Sequence, residues 1–167
     1  WGVLDMEHSP LDVYGVVHLL QALSATKMVP VLRLAWNDPV AVKRVLDAGA
    51  TTLMFPFIES AEEAARAVAA TRYPPEGIRG VAGATRASRF GTVPNYFVHA
   101  NRQVGVIVQL ETTQAVDRLE EIAAVDGVDA LFVGPGDLSA SLGRVGQFTH
   151  PSVMDRLAQA AQRAKAA

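Results

Sequence analysis

Five short apolar runs, each followed by a stretch of helical periodicity, constrain this chain more than any other feature. They are WGVLDM (1–6), VPVLRLA (29–35), TTLMFPFI (51–58), VGVIVQLE (104–111) and DALFVGP (129–135). The runs are nearly continuous in aliphatic and β-branched residues and lack the polar alternation of a half-solvated strand. Strands covered on both faces in a parallel sheet have this character. Strand and helix alternating at this spacing give βα units with right-handed crossovers.

The intervening segments carry helix punctuation. Ser9 before Pro10, and Asp38 before Pro39, each offer an N-cap followed by proline at the first helical position. Ser60 with Glu63 three residues later forms a capping box, and Gly49 and Gly127 stand where glycines end helices. DAGATTLMFP and DGVDALFVGP echo one another as helix end, glycine, strand and proline. Residues 72–103, rich in Gly, Pro and Arg, interrupt the rhythm, and a connection of that length is expected to be functional or to hold structure of its own.

Composition narrows the partners. With 167 residues the expectation is one domain, 1–167. The formal charge of −2 offers no footprint for nucleic acid or an anionic membrane, and no apolar run reaches the length of a membrane span. A cytoplasmic location is the default expectation. The absence of cysteine removes disulfides, thiolate metal sites and a cysteine nucleophile.

Polar residues interrupt the apolar runs mainly at their carboxyl ends. Asp5, Glu7 and His8 close the first, Arg33 comes late in the second, Gln109 and Glu111 close the fourth, and Gly136 and Asp137 follow the fifth. In a parallel α/β fold those ends share the face where ligands bind. Taken singly, Asp137 would serve equally as a helix cap, Glu111 as a first-turn acid, Arg33 as an ion-pair partner and His8 as a loop histidine. Taken together they form a constellation of an arginine and several carboxylates.

Two carboxylates without cysteine suit a hard divalent cation, which leaves its other positions to substrate oxygens and water. Such an ion polarises a carbonyl, and an arginine fork can hold a carboxylate or an enolate oxygen. The GPGD turn offers backbone N–H groups to an anion. Asp5, three residues before His8, could orient the imidazole for proton transfer, whereas Glu7 receives no role. Only three lysines occur, Lys27, Lys43 and Lys165, and none lies at a strand's carboxyl end. A Schiff-base route therefore lacks its nucleophile.

The blocks LDMEHSP, VLRLAWNDP, RYPPEGIRGV, RASRF, VQLETTQA and DALFVGPGDLSASLG resemble, in order and spacing, the metal-dependent (class II) pyruvate aldolases of the HpcH/HpaI aldolase/citrate lyase type. The nearest member types are the 4-hydroxy-2-oxoheptanedioate aldolases and the 2-keto-3-deoxy-sugar-acid aldolases. The resemblance implies a TIM (β/α)8 barrel of the phosphoenolpyruvate/pyruvate type, of which about five central βα units are visible here. It implies Mg²⁺, Mn²⁺ or Co²⁺ on Glu111 and Asp137, and pyruvate near Gln109, Gly136 and Asp137. It further implies Arg33 on the keto oxygen, and His8 with Asp5 as the proton-transfer pair. The implied reaction is reversible cleavage of a 4-hydroxy-2-oxo acid to pyruvate and an aldehyde, in a homohexamer built from dimers. Acyl-lyase chemistry on the same scaffold, or a non-catalytic truncated subunit, are the alternatives. Members of the family are longer at both ends, so a strand and helix before Trp1 and two strands after Ala167 are expected.

Overall fold

The computed structural model describes all residues from Trp1 to Ala167. Five strands form one parallel sheet in chain order: β1 (Gly2–Asp5), β2 (Pro30–Arg33), β3 (Thr52–Phe55), β4 (Gly105–Leu110) and β5 (Ala130–Val133). Each strand sits inside one of the five apolar runs, but only four to six residues of each run pair. The remaining residues turn out over the sheet's ends, where the polar groups lie.

Eight helices connect or flank the strands. They are α1 (Val13–Leu23), α2 (Pro39–Asp47), α3 (Ala61–Thr71), α4 (Tyr96–His99), α5 (Thr113–Asp117), α6 (Leu119–Ala123), α7 (Pro135–Ser141) and α8 (Pro151–Ala166). No helix is long and apolar enough to cross a membrane.

The caps follow local chemistry. Asp38 accepts the Val40 N–H at 2.9 Å and starts α2, with Pro39 at its first position. Ser60 accepts the Glu63 N–H at 3.2 Å, while the Glu63 carboxylate reaches back to the Glu59 N–H at 2.8 Å, one residue beyond the box that the spacing predicts. The Ser9–Pro10 start is corrected: α1 begins at Val13, capped by Asp12, whose carboxylate accepts the Gly15 N–H at 2.8 Å. Ser9 instead turns its hydroxyl to the Asp5 carbonyl, because the chain must first clear the rim before it can enter a helix. After α2, Gly49 adopts φ 106°, and the Gly49 and Ala50 N–H groups return to Leu46 and Val45, a Schellman closure. Residues 72–103 contain α4 and a short 3₁₀ turn at Ala100–Arg102, so the long connection does hold structure of its own.

The core gathers on the middle of the sheet and under α2, α3 and α5–α6. Leu32, Leu53, Phe55, Val108, Leu110, Leu119 and Ile122 are all buried. Leu53, Met54 and Phe55 are buried in succession, as a strand covered on both faces requires. β1 and β5 form the sheet's edges and are wetter, with Val3 and Phe132 left exposed.

Register decides which polar residues meet. Asp5 and Arg33 are the last residues of β1 and β2 and lie directly opposite one another. Gln109 pairs with Phe132, and Leu110 with Val133, so Glu111 and Gly134 leave the sheet side by side. All five carboxyl ends thus open on one rim.

Candidate active site at the carboxyl rim

Arg33 is the centre of the rim. Its Nε donates to Asp5 Oδ1 at 2.9 Å and its Nη2 to Asp5 Oδ2 at 2.6 Å, a side-on fork. Its Nη1 lies 3.1 Å from Glu7 Oε2. Two of the guanidinium's five N–H groups bond Asp5, and Nη1 is in ion-pair contact with Glu7 without a hydrogen bond to it. The fork is the main cause that holds the Asp5 carboxyl below the usual range, and the backbone N–H groups of Glu7 and His8 on Asp5 Oδ1 add to it.

The Asp5 carboxylate is thus taken up by Arg33 and two backbone donors, one of them the His8 N–H, rather than by the His8 ring. The carboxylate nearest the His8 ring is Glu7, whose Oε1 is 3.7 Å from Nε2. Glu7 is 8% exposed against 61% for His8, so the acid is part of the wall and the imidazole stands in the opening. Burial, followed by the negative charge of Glu111, pushes the Glu7 carboxyl up.

Glu111 is held from two sides. Its Oε1 accepts a short hydrogen bond from the Gln109 amide, and its Oε2 accepts the Phe57 N–H at 2.9 Å. Gln109 and Glu111 are two residues apart at the end of β4, so both side chains leave on the same face. Both are buried, and burial pushes the Glu111 carboxyl up, with Asp137 adding repulsion. Asp137 sits in the first turn of α7, next to Gly136, and is half-buried.

Two backbone features that carry no signal of their own in the sequence complete the cradle. Phe57 has φ 51°, a left-handed conformation that aims its N–H at Glu111. Trp36 stacks on the Phe57 ring, with centroids 5.9 Å apart at 32°. Gly134 leaves no room for a side chain, since a Cβ there would lie 2.8 Å from Glu111 Oε1. The glycine near the end of the run 129–135 is that constraint's only trace in the sequence.

The donor set suits a hard cation. Asp5, Glu7, Glu111 and Asp137 place four carboxyl groups around the one guanidinium of Arg33. Every available ligand at Glu111 and Asp137 is an oxygen, and the buried Gln109 Oε1 has no hydrogen-bond partner. No group of three or more His, Cys, Asp or Glu side chains stands within chelating reach, so a cation there would take two protein carboxylates and draw its other ligands from substrate and water. The site is an open rim. A neighbouring cleft of about 420 Å³, lined by Met6, Leu11, Val13, Ala35, Val40 and Arg44 among others, includes none of the residues on which the constellation was built.

Comparison with known proteins gives the geometry a context. The HpcH/HpaI aldolase/citrate lyase family matches residues 1–167. The 5-keto-4-deoxy-D-glucarate aldolase of Salmonella newport (strain SL254) is 51% identical over 166 residues, which cover 99% of this chain and 65% of that protein. A solved HpcH/HpaI aldolase/citrate lyase family protein from Burkholderia cenocepacia J2315 superposes with a TM-score of 0.90 at 49% identity, over 97% of this chain and 66% of that one. The citrate lyase beta subunit of M. tuberculosis, solved with oxaloacetate and magnesium, shares the fold at a TM-score of 0.52 and 21% identity, over 96% of this chain and 63% of that one. The chain therefore spans just under two thirds of the length of the curated relatives it matches.

Proposed function

The chain belongs to the HpcH/HpaI aldolase/citrate lyase family, and from that premise we propose that its rim performs the reversible retro-aldol cleavage of a 4-hydroxy-2-oxo diacid. The relatives' substrate, 5-keto-4-deoxy-glucarate, is such a compound when numbered from its keto end. Cleavage breaks the C3–C4 bond. The C4 hydroxyl loses its proton and becomes an aldehyde, the bonding pair passes to C3, and protonation there gives pyruvate. In this reading the strands of the sheet are part of a (β/α)8 barrel, and the protein assembles as a dimer-based hexamer.

Glu111 and Asp137 would hold a divalent cation, Mg²⁺, Mn²⁺ or Co²⁺. When bound, that ion supplies Lewis-acid polarisation of the 2-oxo group. The N–H groups of Arg33 that Asp5 leaves open meet the 2-oxo oxygen and follow it as negative charge develops there. Asp5 keeps the guanidinium in one plane, so no rotamer search accompanies the reaction. Gln109 holds Glu111 in place, and the turn at Gly136 and Asp137 receives the substrate's 1-carboxylate. His8, on the open side of the rim, takes the C4 hydroxyl proton and returns it in the aldol direction.

The observation that carries the reading is the meeting of an anchored arginine with a buried, backbone-held carboxylate on one sheet rim, in a chain 51% identical to a sugar-acid aldolase. The test is pyruvate release from 5-keto-4-deoxy-glucarate and from 4-hydroxy-2-oxoheptanedioate with each cation. Release that stops with EDTA and returns with added cation is expected. Release unaffected by EDTA overturns the cation's role, and turnover confined to a CoA thioester overturns the aldolase reading.

A further inference from the structure

We propose that the amino end of the sheet, opposite the rim, holds a second binding site, for a small organic dianion bearing phosphate or carboxylate groups. The site is built by the long connection 72–103 and is independent of the chemistry assigned to the rim. That connection contains five arginines and a single acid, Glu76, in a chain whose formal charge is −2. Two of those arginines are held in ion pairs, Arg72 with Asp126 and Arg79 with Asp47. Arg86 and Arg89 take part in none of the chain's ion pairs. Both line an open cleft of about 380 Å³ together with Ser24, Gly49, Ala87 and Phe90, and no acid lines it.

The turn that presents these two arginines is fixed. Ser88 Oγ accepts the Thr85 and Gly91 N–H groups at 3.2 and 3.0 Å, and the Ala87 N–H donates to the Asp47 carbonyl at 3.1 Å. Arg89 and Phe90 are both left-handed, at φ 47° and 55°, a strained pair of non-glycine residues that the surrounding bonds hold in place. Gly49 is left-handed as well, and the Arg86 side chain lies 3.8 Å from where a Cβ would stand.

Behind the cleft, sharing Gly49 and Ala87 with it, lies a chamber of about 90 Å³ lined by Thr51, Arg79, Tyr96 and Gln103 among others. The Arg79 side chain is 1% exposed. Its Nη2 donates to Asp47 at 2.8 Å and its guanidinium sits 4.4 Å over the Tyr73 ring, but its buried Nε has no acceptor. An unmet N–H on a buried guanidinium is destabilising until an acceptor arrives. Formally, the guanidiniums of Arg79, Arg86 and Arg89 against the Asp47 carboxylate leave three minus one, or two, positive charges, and a dianion neutralises them. Guanidinium forks match the oxygens of phosphate and carboxylate groups. The outer cleft is larger than a head group needs, and Phe90 offers an organic body an apolar wall.

Calorimetric titration of the intact protein tests the site, with inorganic phosphate, glycerol 3-phosphate and succinate as probes. EDTA is present throughout, so that no cation at the rim recruits the anion. Glycerol 3-phosphate or succinate should saturate one site per chain, more weakly as salt is raised. The double substitution Arg86→Gln, Arg89→Gln should weaken that binding at least about tenfold, the scale of charge-assisted hydrogen bonds. Arg89→Gln alone, at the more exposed position, should weaken it at least about threefold and leave the melting temperature unchanged. Saturation by glycerol 3-phosphate and not succinate assigns a phosphate ester, and the reverse assigns a dicarboxylate. No saturable binding of either organic probe overturns the proposal, as does binding by inorganic phosphate only. Binding of equal strength in wild type and both variants places the anion elsewhere and overturns it too.

Discussion

Glu111 shows what the site demands of a single side chain. It is 2% exposed, and each of its carboxylate oxygens accepts one hydrogen bond. Burial and Asp137 both oppose its ionisation. A carboxyl raised above its unfolded value binds its proton more tightly in the folded state. Folding therefore loses stability as pH rises through that interval, unless a cation compensates. Glu111→Gln removes the charge and keeps the shape, so in EDTA the variant should melt at the same temperature as wild type or higher. Added Mn²⁺ should raise the wild-type melting temperature by mass action and leave the variant unmoved. A variant that melts lower in EDTA, or one that responds to Mn²⁺ as wild type does, contradicts this account of Glu111.

At the scale of elements, the last helix is fastened by charge as well as by packing. α8 buries Val153 and Ala160, and Arg163 reaches Glu120 of α6, its Nε donating at 2.7 Å. Arg156 pairs with Asp117 of α5. The hydrogen bond from Arg163 pulls the exposed Glu120 carboxyl down from 4.5 to about 2. A depressed carboxyl contributes stability above its unfolded value and loses it as pH falls through the folded one. The advantage of wild type over Glu120→Gln, read as the urea midpoint, should therefore be full above about pH 5 and vanish near pH 2. It should also shrink with salt, because the pair faces solvent. A difference that persists at pH 2 would assign the helix's attachment to shape alone. The helix ends were partly legible. Asp38–Pro39 and Gly49 behaved as their residue types dictate, since capping is a local bargain between a side chain and nearby backbone groups. Ser9–Pro10 has the same cap-then-proline pattern and starts no helix, because the chain there is still bound to the rim through Asp5.

Across the whole molecule, the sheet is driest at its centre. Phe55 is fully buried at the end of β3, between β2 and β4, within a cluster that extends to α2, α3, α5 and α6. Phe55→Ala should cost about 3–5 kcal/mol, the range for losing a large core side chain. Val3→Ala, at the exposed edge strand, should cost far less. Equal losses in urea denaturation would show that the edges are as tightly covered as the centre. The same gradient explains what could be read in advance. The five strands, their parallel order and their shared rim were visible because buried strands must be continuously apolar, and polar interruptions must fall where the sheet ends.

That the polar residues named from the chain alone would share one rim was legible for the same reason: they stand at the ends of apolar runs that pair in parallel. Their partners were not. Asp5 precedes His8 by three positions, yet it faces Arg33, twenty-eight residues away, because β1 and β2 are in register at their last residues. Glu7 looked like a spare acid until the turn after β1 brought it against both Arg33 and His8. Phe57 and Gly134 shape the Glu111 cradle through a backbone angle and a missing side chain. Hydrophobic periodicity and residue type determined the strands, the rim and the chemistry on offer. Tertiary structure alone decided who bonds to whom, since strand register and backbone direction set those distances.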